Sequence, residues 1–254
     1  MARKLDQSPP ALRAFSLLEV VARADKPLTL GQITEAAQLP KPTVHRMIAL
    51  LGANGLIVRE PDGRRYALGP RLAAFGLDVL LNSSFRAARH LILQALVEQI
   101  GETCNFTMLD GAQVVYLDRV ETPSPLRMNL QPGSRVPLHC TASGKLLLAM
   151  LPKAKRERLT ASLPLPRHTP KTIVDGNRFK RELQQIRTQR YSTDNEEYFA
   201  GLVCVAVPVR DGAGRTCAAL AVHAPMSRMP LARQLEYLPA LKRAAEQMAR
   251  TFID

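Results

Sequence analysis

At 254 residues the chain accommodates two modest domains, and its 46% hydrophobic and 22% charged content is that of a soluble globular protein. No apolar run approaches the roughly 18 to 20 residues of a membrane span. The first residues, Met1 to Asp6, lack the apolar core of a secretion signal, so a cytoplasmic protein with no membrane partner is expected. The formal charge of +13 favours a polyanionic partner through counterion release, but residues 1–82 hold 11 Lys and Arg against 7 Asp and Glu. Only +4 of the charge therefore lies there, and a motif has to carry any DNA-binding claim.

Residues 1–10, with Arg3, Lys4, Pro9 and Pro10, read as a loose arm. From Ala11 to Ala24, Leu12, Phe15, Leu18 and Ala22 recur at helical spacing and are expected to close a three-helix core. Thr29 is an N-cap for a helix from Leu30 to Ala37. Pro40 disfavours helical geometry in the residue before it, and Pro42 suits the first turn of a second helix, Thr43 to Asn54. Val44, Met47, Ile48 and Leu51 fall on its inner face, while Thr43, His45 and Arg46 stand outward near its start, where a recognition helix meets base edges. Lys41, just before, suits phosphate oxygens. Gly55 supplies a left-handed stop. Leu56 to Arg59 and Arg65 to Leu68 read as two short strands around Pro61-Asp62-Gly63, a wing whose Arg64 and Arg65 suit phosphates or the minor groove.

Gly69-Pro70 opens a helix from Arg71 to Leu81, interrupted by Asn82-Ser83-Ser84. Its stripe Leu72, Phe75, Val79 and Leu80 has little intramolecular core to join, which predicts a homodimer or a dimer of dimers. A further helix covers Phe85 to Ile100. Beyond Gly101 the texture changes. Thr103 to Leu109 and Val114 to Val120 form a hairpin around Asp110-Gly111, and Leu126 to Leu130 reads as another strand. Val136 to Cys140 leads into a helix that starts near Ser143. Helices are expected over Lys153 to Ser162 and Asn177 to Gln189, strands over Val203 to Val209 and Thr216 to Ala224, and a last helix over Leu231 to Phe252. This order predicts an α+β fold: a winged helix-turn-helix domain (1–69), a linker helix (70–84), and an antiparallel sheet flanked by helices (85–254) of a shape that commonly cups a small molecule.

Leu39-Pro40-Lys41-Pro42-Thr43-Val44-His45-Arg46, Pro137-Leu138-His139-Cys140-Thr141-Ala142-Ser143-Gly144-Lys145, and Asp194-Asn195-Glu196-Glu197 followed by Gly201 to Val209 resemble the IclR family of bacterial transcriptional regulators. The resemblance implies a GAF-like C-terminal domain that binds a small, often carboxylate-bearing effector, and dimerisation through the linker helix. Carried over by position, the effector pocket involves Thr141, Ala142, Ser143, Asp194, Cys204, Ala221 and His223. Ala221 and His223 stand where relatives that bind small oxo acids typically carry serines, which favours an organic acid with an apolar or aromatic body over a very short oxo acid. Arg190 and Arg210 depart from the signature at positions that read as solvent-side.

The expected function is a ligand-responsive regulator of catabolic or transport genes, with double-stranded operator DNA and a small organic acid as partners and without enzymatic activity, cofactor or metal. An architectural DNA-binding protein without ligand, or an enzyme with an accessory DNA module, are the alternatives. Gly144-Lys145 fails the phosphate-loop pattern, with His139 five residues before the glycine and Leu146 after the lysine. Cys140 or Cys204 with His139 or His223 lacks the spacing of a nucleophile or zinc motif, and the four cysteines read as buried small hydrophobes. Asp194 has a pocket role by resemblance, whereas Glu196 and Glu197 read as a solvated turn.

Overall fold

The computed structural model describes residues 8–24, 26–82, 85–125, 128 and 130–251, so most of the expected N-terminal arm lies outside the described residues. Two compact units meet in sequence between Val79 and Leu80.

The first unit contains α1 (Pro10–Arg23), β1 (Leu28–Thr29), α2 (Leu30–Ala37), α3 (Lys41–Ala53), β2 (Ile57–Arg59), β3 (Arg65–Leu68) and most of α4 (Pro70–Asn82). Thr29 closes a capping box with Gln32, which satisfies two amides at the start of α2 that have no helical partner. A left-handed Gln38 ends α2, and α3 begins at Lys41, two residues earlier than expected, because Pro42 in its first turn removes an N–H that had no helical acceptor. Leu17, Val21, Ile33, Val44, Met47, Ile48, Leu51 and Ile57 form the core. The face of α1 differs from the expectation: Leu12 and Phe15 are 57% and 59% exposed, and Leu17 and Val21 turn inward instead. Strands β2 and β1 flank β3 in an antiparallel sheet, with β2 and β3 forming the wing hairpin.

Glycine fixes where the wing leaves α3. Gly55 has φ +69°, the left-handed conformation expected of it. Gly69 lies so close beneath it that a Cβ there would stand 2.1 Å from the Gly55 carbonyl oxygen. The Gly69 amide donates to Leu56 O at 2.9 Å and the Arg71 amide to Gly55 O at 3.3 Å, which ties the start of α4 to the end of α3.

The second unit contains α5 (Phe85–Ile100), β4 (Thr103–Asp110), β5 (Gln113–Val120), β6 (Arg135–Pro137), α6 (Ala142–Met150), α7 (Lys153–Ser162), α8 (Gly176–Gln189), β7 (Ser192–Asn195), β8 (Leu202–Arg210), β9 (Thr216–Pro225), α9 (Leu231–Glu236) and α10 (Leu238–Ala249). Its six strands are antiparallel in the order β6-β5-β4-β9-β8-β7. Alternation along the strands separates the faces. Phe106 lies under Arg89 of α5, and α10 packs against β8 and β9. On the opposite face Val114, Tyr116, Ala206, Ala219 and Ala221 pack with Leu146 and Leu147 of α6, which is backed by Phe179, Leu183 and Ile186 of α8.

Three expectations change. The strand expected over 126–130 falls largely outside the described residues, and Met128 and Leu130 are in no strand. Strand β6 ends at Pro137, before the expected Cys140. The last helix breaks at Tyr237 because Pro239 has no N–H to continue the ladder, and Phe252 lies outside the described residues.

Candidate functional site

The outer surface of α3 carries Lys41, His45 and Arg46 exposed and Thr43 half-buried, while Val44, Met47, Ile48 and Leu51 anchor it from behind. At the wing tip, Asp62 Oδ1 accepts the amides of Arg64 at 2.9 Å and Arg65 at 3.1 Å. The first of these bonds, with the Arg65 side chain next, holds the Asp62 carboxyl down at about 2. Arg64 and Arg65 are both exposed, but the Arg65 guanidinium is already paired with Asp62, which leaves Arg64 the better cation for a phosphate.

In the second unit the site grows out of cross-strand pairing. Asp194 of β7 stands opposite Cys204 of β8, Cys204 opposite His223 of β9, and Ala221 opposite Asn105 of β4, which in turn faces Arg119 of β5. Period-two alternation puts these side chains on the face covered by α6. Thr141 caps that helix, accepting from the Gly144 amide at 3.2 Å and donating to Pro137 O at 2.7 Å. A cavity of about 20 Å³ lies between the helix start and the sheet. All seven residues expected from the sequence, Thr141, Ala142, Ser143, Asp194, Cys204, Ala221 and His223, line it. Asn105, Tyr116, Tyr198 and Leu202 line it too, although the sequence does not mark them for it.

The electrostatics are set by burial. Asp194, 3% exposed, is pushed up to about 7 by desolvation, although its Oδ1 accepts the Glu197 amide at 2.7 Å. His223, 4% exposed, falls to about 3 through burial and the nearby Arg119. Glu197 is not solvated as expected: it is buried and accepts from the Nζ of a fully buried Lys145, which also reaches Glu182 at 3.0 Å. Burial works against the Lys145 charge, but the two glutamates outweigh it and hold the amine above its ordinary value. The sequence signal for this pair was an unexplained lysine in an otherwise apolar helix start.

The thiol and histidine alternatives take a definite form. Cys104, Cys140, Cys204 and Cys217 are all free thiols, and burial pushes Cys140 up to about 12 and Cys204 well above its ordinary value, so neither is a thiolate near neutral pH. His139 Nε2 is engaged by Pro166 O at 2.9 Å, and one donor atom each from His139, Cys140 and His168 lie within 4.8 Å of one another. Arg190 and Arg210 are both exposed.

Residues 78–250 match the family model described as "Bacterial transcriptional regulator IclR C-terminal", and residues 10–61 match "IclR helix-turn-helix domain". The chain belongs to the IclR family. Among curated relatives it is 50% identical to "Probable transcriptional regulator SauR" of Cupriavidus necator over 96% of this chain and 97% of that one. It is 32% identical to "HTH-type transcriptional regulator BhcR" of Paracoccus denitrificans over 93% and 85%. The solved structure of the Thermotoga maritima IclR is similar with a TM-score of 0.63, at 30% identity over 94% of this chain and 97% of that one. As an IclR-family protein the chain is a helix-turn-helix transcriptional regulator with a GAF-like α+β domain. Among the described residues no helix is long and apolar enough to cross a membrane.

Proposed function

We propose that this IclR-family chain binds a double-stranded operator through its first unit and is controlled by a small organic acid held in the second. The reading divides the chain functionally into a DNA-binding domain (1–69), a linker helix (70–84) and an effector domain (85–254), acting in the cytoplasm on catabolic or transport genes. Its main support is the convergence of the seven pocket residues on one cavity at the capped start of α6, where backbone amides and the helix dipole favour a carboxylate. The cavity is far below the roughly 150 Å³ that holds a benzene ring, so a short acid fits it with less displacement than the aromatic one expected from Ala221 and His223. Calorimetric titration with acetate, glyoxylate and benzoate tests this. Benzoate binding tighter than both short acids restores the aromatic reading, and no binding by any of a broad panel sinks the effector reading.

Thr43, His45 and Arg46 are assigned to bases, and Lys41, Arg64 and, more weakly, Arg65 to phosphates. Arg46→Ala should cost about 1 to 3 kcal/mol at the operator and relax preference at one base pair, whereas Lys41→Ala should weaken all sequences alike and flatten the salt dependence. Competition binding at two salt concentrations separates the two outcomes, and undiminished binding by Arg46→Ala would remove it from the interface.

One winged helix contacts too few base pairs for useful specificity, so the regulator is assigned as a homodimer or a dimer of dimers on a repeated operator. In support, Phe75 and Val79 are 62% and 47% exposed on α4. Light scattering should give at least twice the monomer mass; a monomer at micromolar concentration contradicts it.

The pocket also predicts a pH dependence. Asp194 has a raised pKa of about 7, so it is neutral below that pH and gains charge above it, while Cys140, Cys204, Tyr116 and Lys145 beside it are all held higher. An anionic effector should therefore bind more weakly as pH rises from 6 to 8, by at most about tenfold per unit, and Asp194→Asn should flatten the profile. Equal slopes for the two proteins would exclude Asp194 as the titrating group.

A further inference from the structure

We propose that Asn105 and Arg119 are positioning residues that lock His223 into the tautomer presenting an N–H to the cavity, so that the pocket selects an effector end made only of acceptors, a carboxylate in particular. The inference rests on the effector reading above and adds the residues that set its selectivity.

Only one arrangement of the three groups satisfies their chemistry. Arg119 Nη1 donates to Asn105 Oδ1 at 3.4 Å. A guanidinium has no acceptor, so the amide atom that faces it is the carbonyl oxygen, and the NH2 group is turned toward His223. Asn105 Nδ2 lies 2.9 Å from His223 Nδ1. An amide NH2 only donates, so Nδ1 is the unprotonated nitrogen and a neutral ring carries its proton on Nε2. Burial and the Arg119 charge keep that ring neutral at physiological pH. Nε2 is itself buried and has no hydrogen-bond partner among the described residues, on a residue that lines the cavity.

Arg119 holds its end of the relay firmly. It is 7% exposed, donates through Nε to Glu121 at 3.2 Å, and also donates to the Met128 carbonyl. The consequence is a wall with a fixed, unmet donor. A carboxylate oxygen satisfies it. An ammonium does not, and the ring cannot adapt by moving its proton, because Nδ1 is held by an amide that cannot accept.

Long-range 15N correlation spectra of histidine-labelled protein read the tautomer directly. Wild type at pH 7 should show His223 as Nε2–H. Asn105→Asp keeps the shape and the Arg119 contact but offers an acceptor to Nδ1, and should invert the ring to Nδ1–H. Arg119→Met frees the amide to turn and should give a mixture. Acetate should shift the His223 Nε2–H resonance in wild type and bind about tenfold or more weakly to Asn105→Asp, as for loss of a hydrogen bond to a charged group. A wild-type ring found as Nδ1–H overturns the proposal without needing either variant to fold. An unchanged tautomer in both variants, or equal acetate affinity in wild type and Asn105→Asp, also overturns it. If acetate binds while the wild-type ring is Nδ1–H, the relay is wrong and the effector reading stands. If no acid on the panel binds, the effector reading falls and takes the selectivity with it.

Discussion

Lys145→Met should destabilise the second unit by about 3 to 5 kcal/mol, the cost of removing one partner from a buried ion pair. The amine is fully buried, donates to Glu197 and Glu182, and sits in the first turn of α6. Without it the buried Glu197 carboxylate faces the apolar methionine side chain, and its Oε2 already has no hydrogen-bond partner among the described residues. The damage should reach the pocket, because the Glu197 amide is bonded to Asp194 Oδ1. Denaturant unfolding followed in the second unit measures the loss. Adding Glu197→Gln should recover a large part of it, since the stranded charge and not the missing contact carries most of the cost. A loss under about 1 kcal/mol, or no recovery in the double variant, contradicts this account.

Gly69→Ala should be nearly as severe, and in the other unit. The new methyl group would stand 2.1 Å from Gly55 O and 2.7 Å from its carbonyl carbon, both backbone atoms that cannot rotate away. Relief requires the start of α4 to part from the end of α3, with loss of the Gly69 to Leu56 and Arg71 to Gly55 hydrogen bonds. Overpacking and two weakened backbone bonds together should cost about 3 kcal/mol, much of the stability of so small a unit. Calorimetry should show a lowered transition for residues 8–79 with the other transition unmoved, and operator binding should fall with it. Wild-type thermal behaviour would show that the glycine contact relaxes freely.

The two substitutions also mark how far the sequence could be read. The first unit was legible because its signals are local: a capping threonine, two prolines flanking a turn, a left-handed glycine, and apolar residues at helical spacing. Where several apolar residues compete, spacing misleads: it points Phe15 inward, although Leu17 and Val21 fill the core. Strand β7 carries no strand signal, because Ser192-Thr193-Asp194-Asn195 is polar and reads as a turn; its Ser192 and Asp194 are buried because they face the space under α6. The seven pocket residues came from family resemblance and converge on one cavity. Asn105 and Arg119 did not, since each lies in a strand that reads as ordinary core. The clue to them lies in parity: Thr103, Asn105 and Thr107 alternate with Cys104 and Phe106, so both faces of β4 are buried and only one is apolar.

The distribution of thiols makes the stabilities of the two units separately measurable. All four cysteines lie beyond residue 100, and none lies in residues 1–79. Burial raises the pKa of each, with Cys217 at about 11. A disulfide-exchange reagent will therefore reach Cys104 and Cys140, both buried, only when the second unit opens, and their labelling rate counts openings of that unit alone. Lys145→Met should accelerate that labelling, and Gly69→Ala should leave it untouched while weakening operator binding.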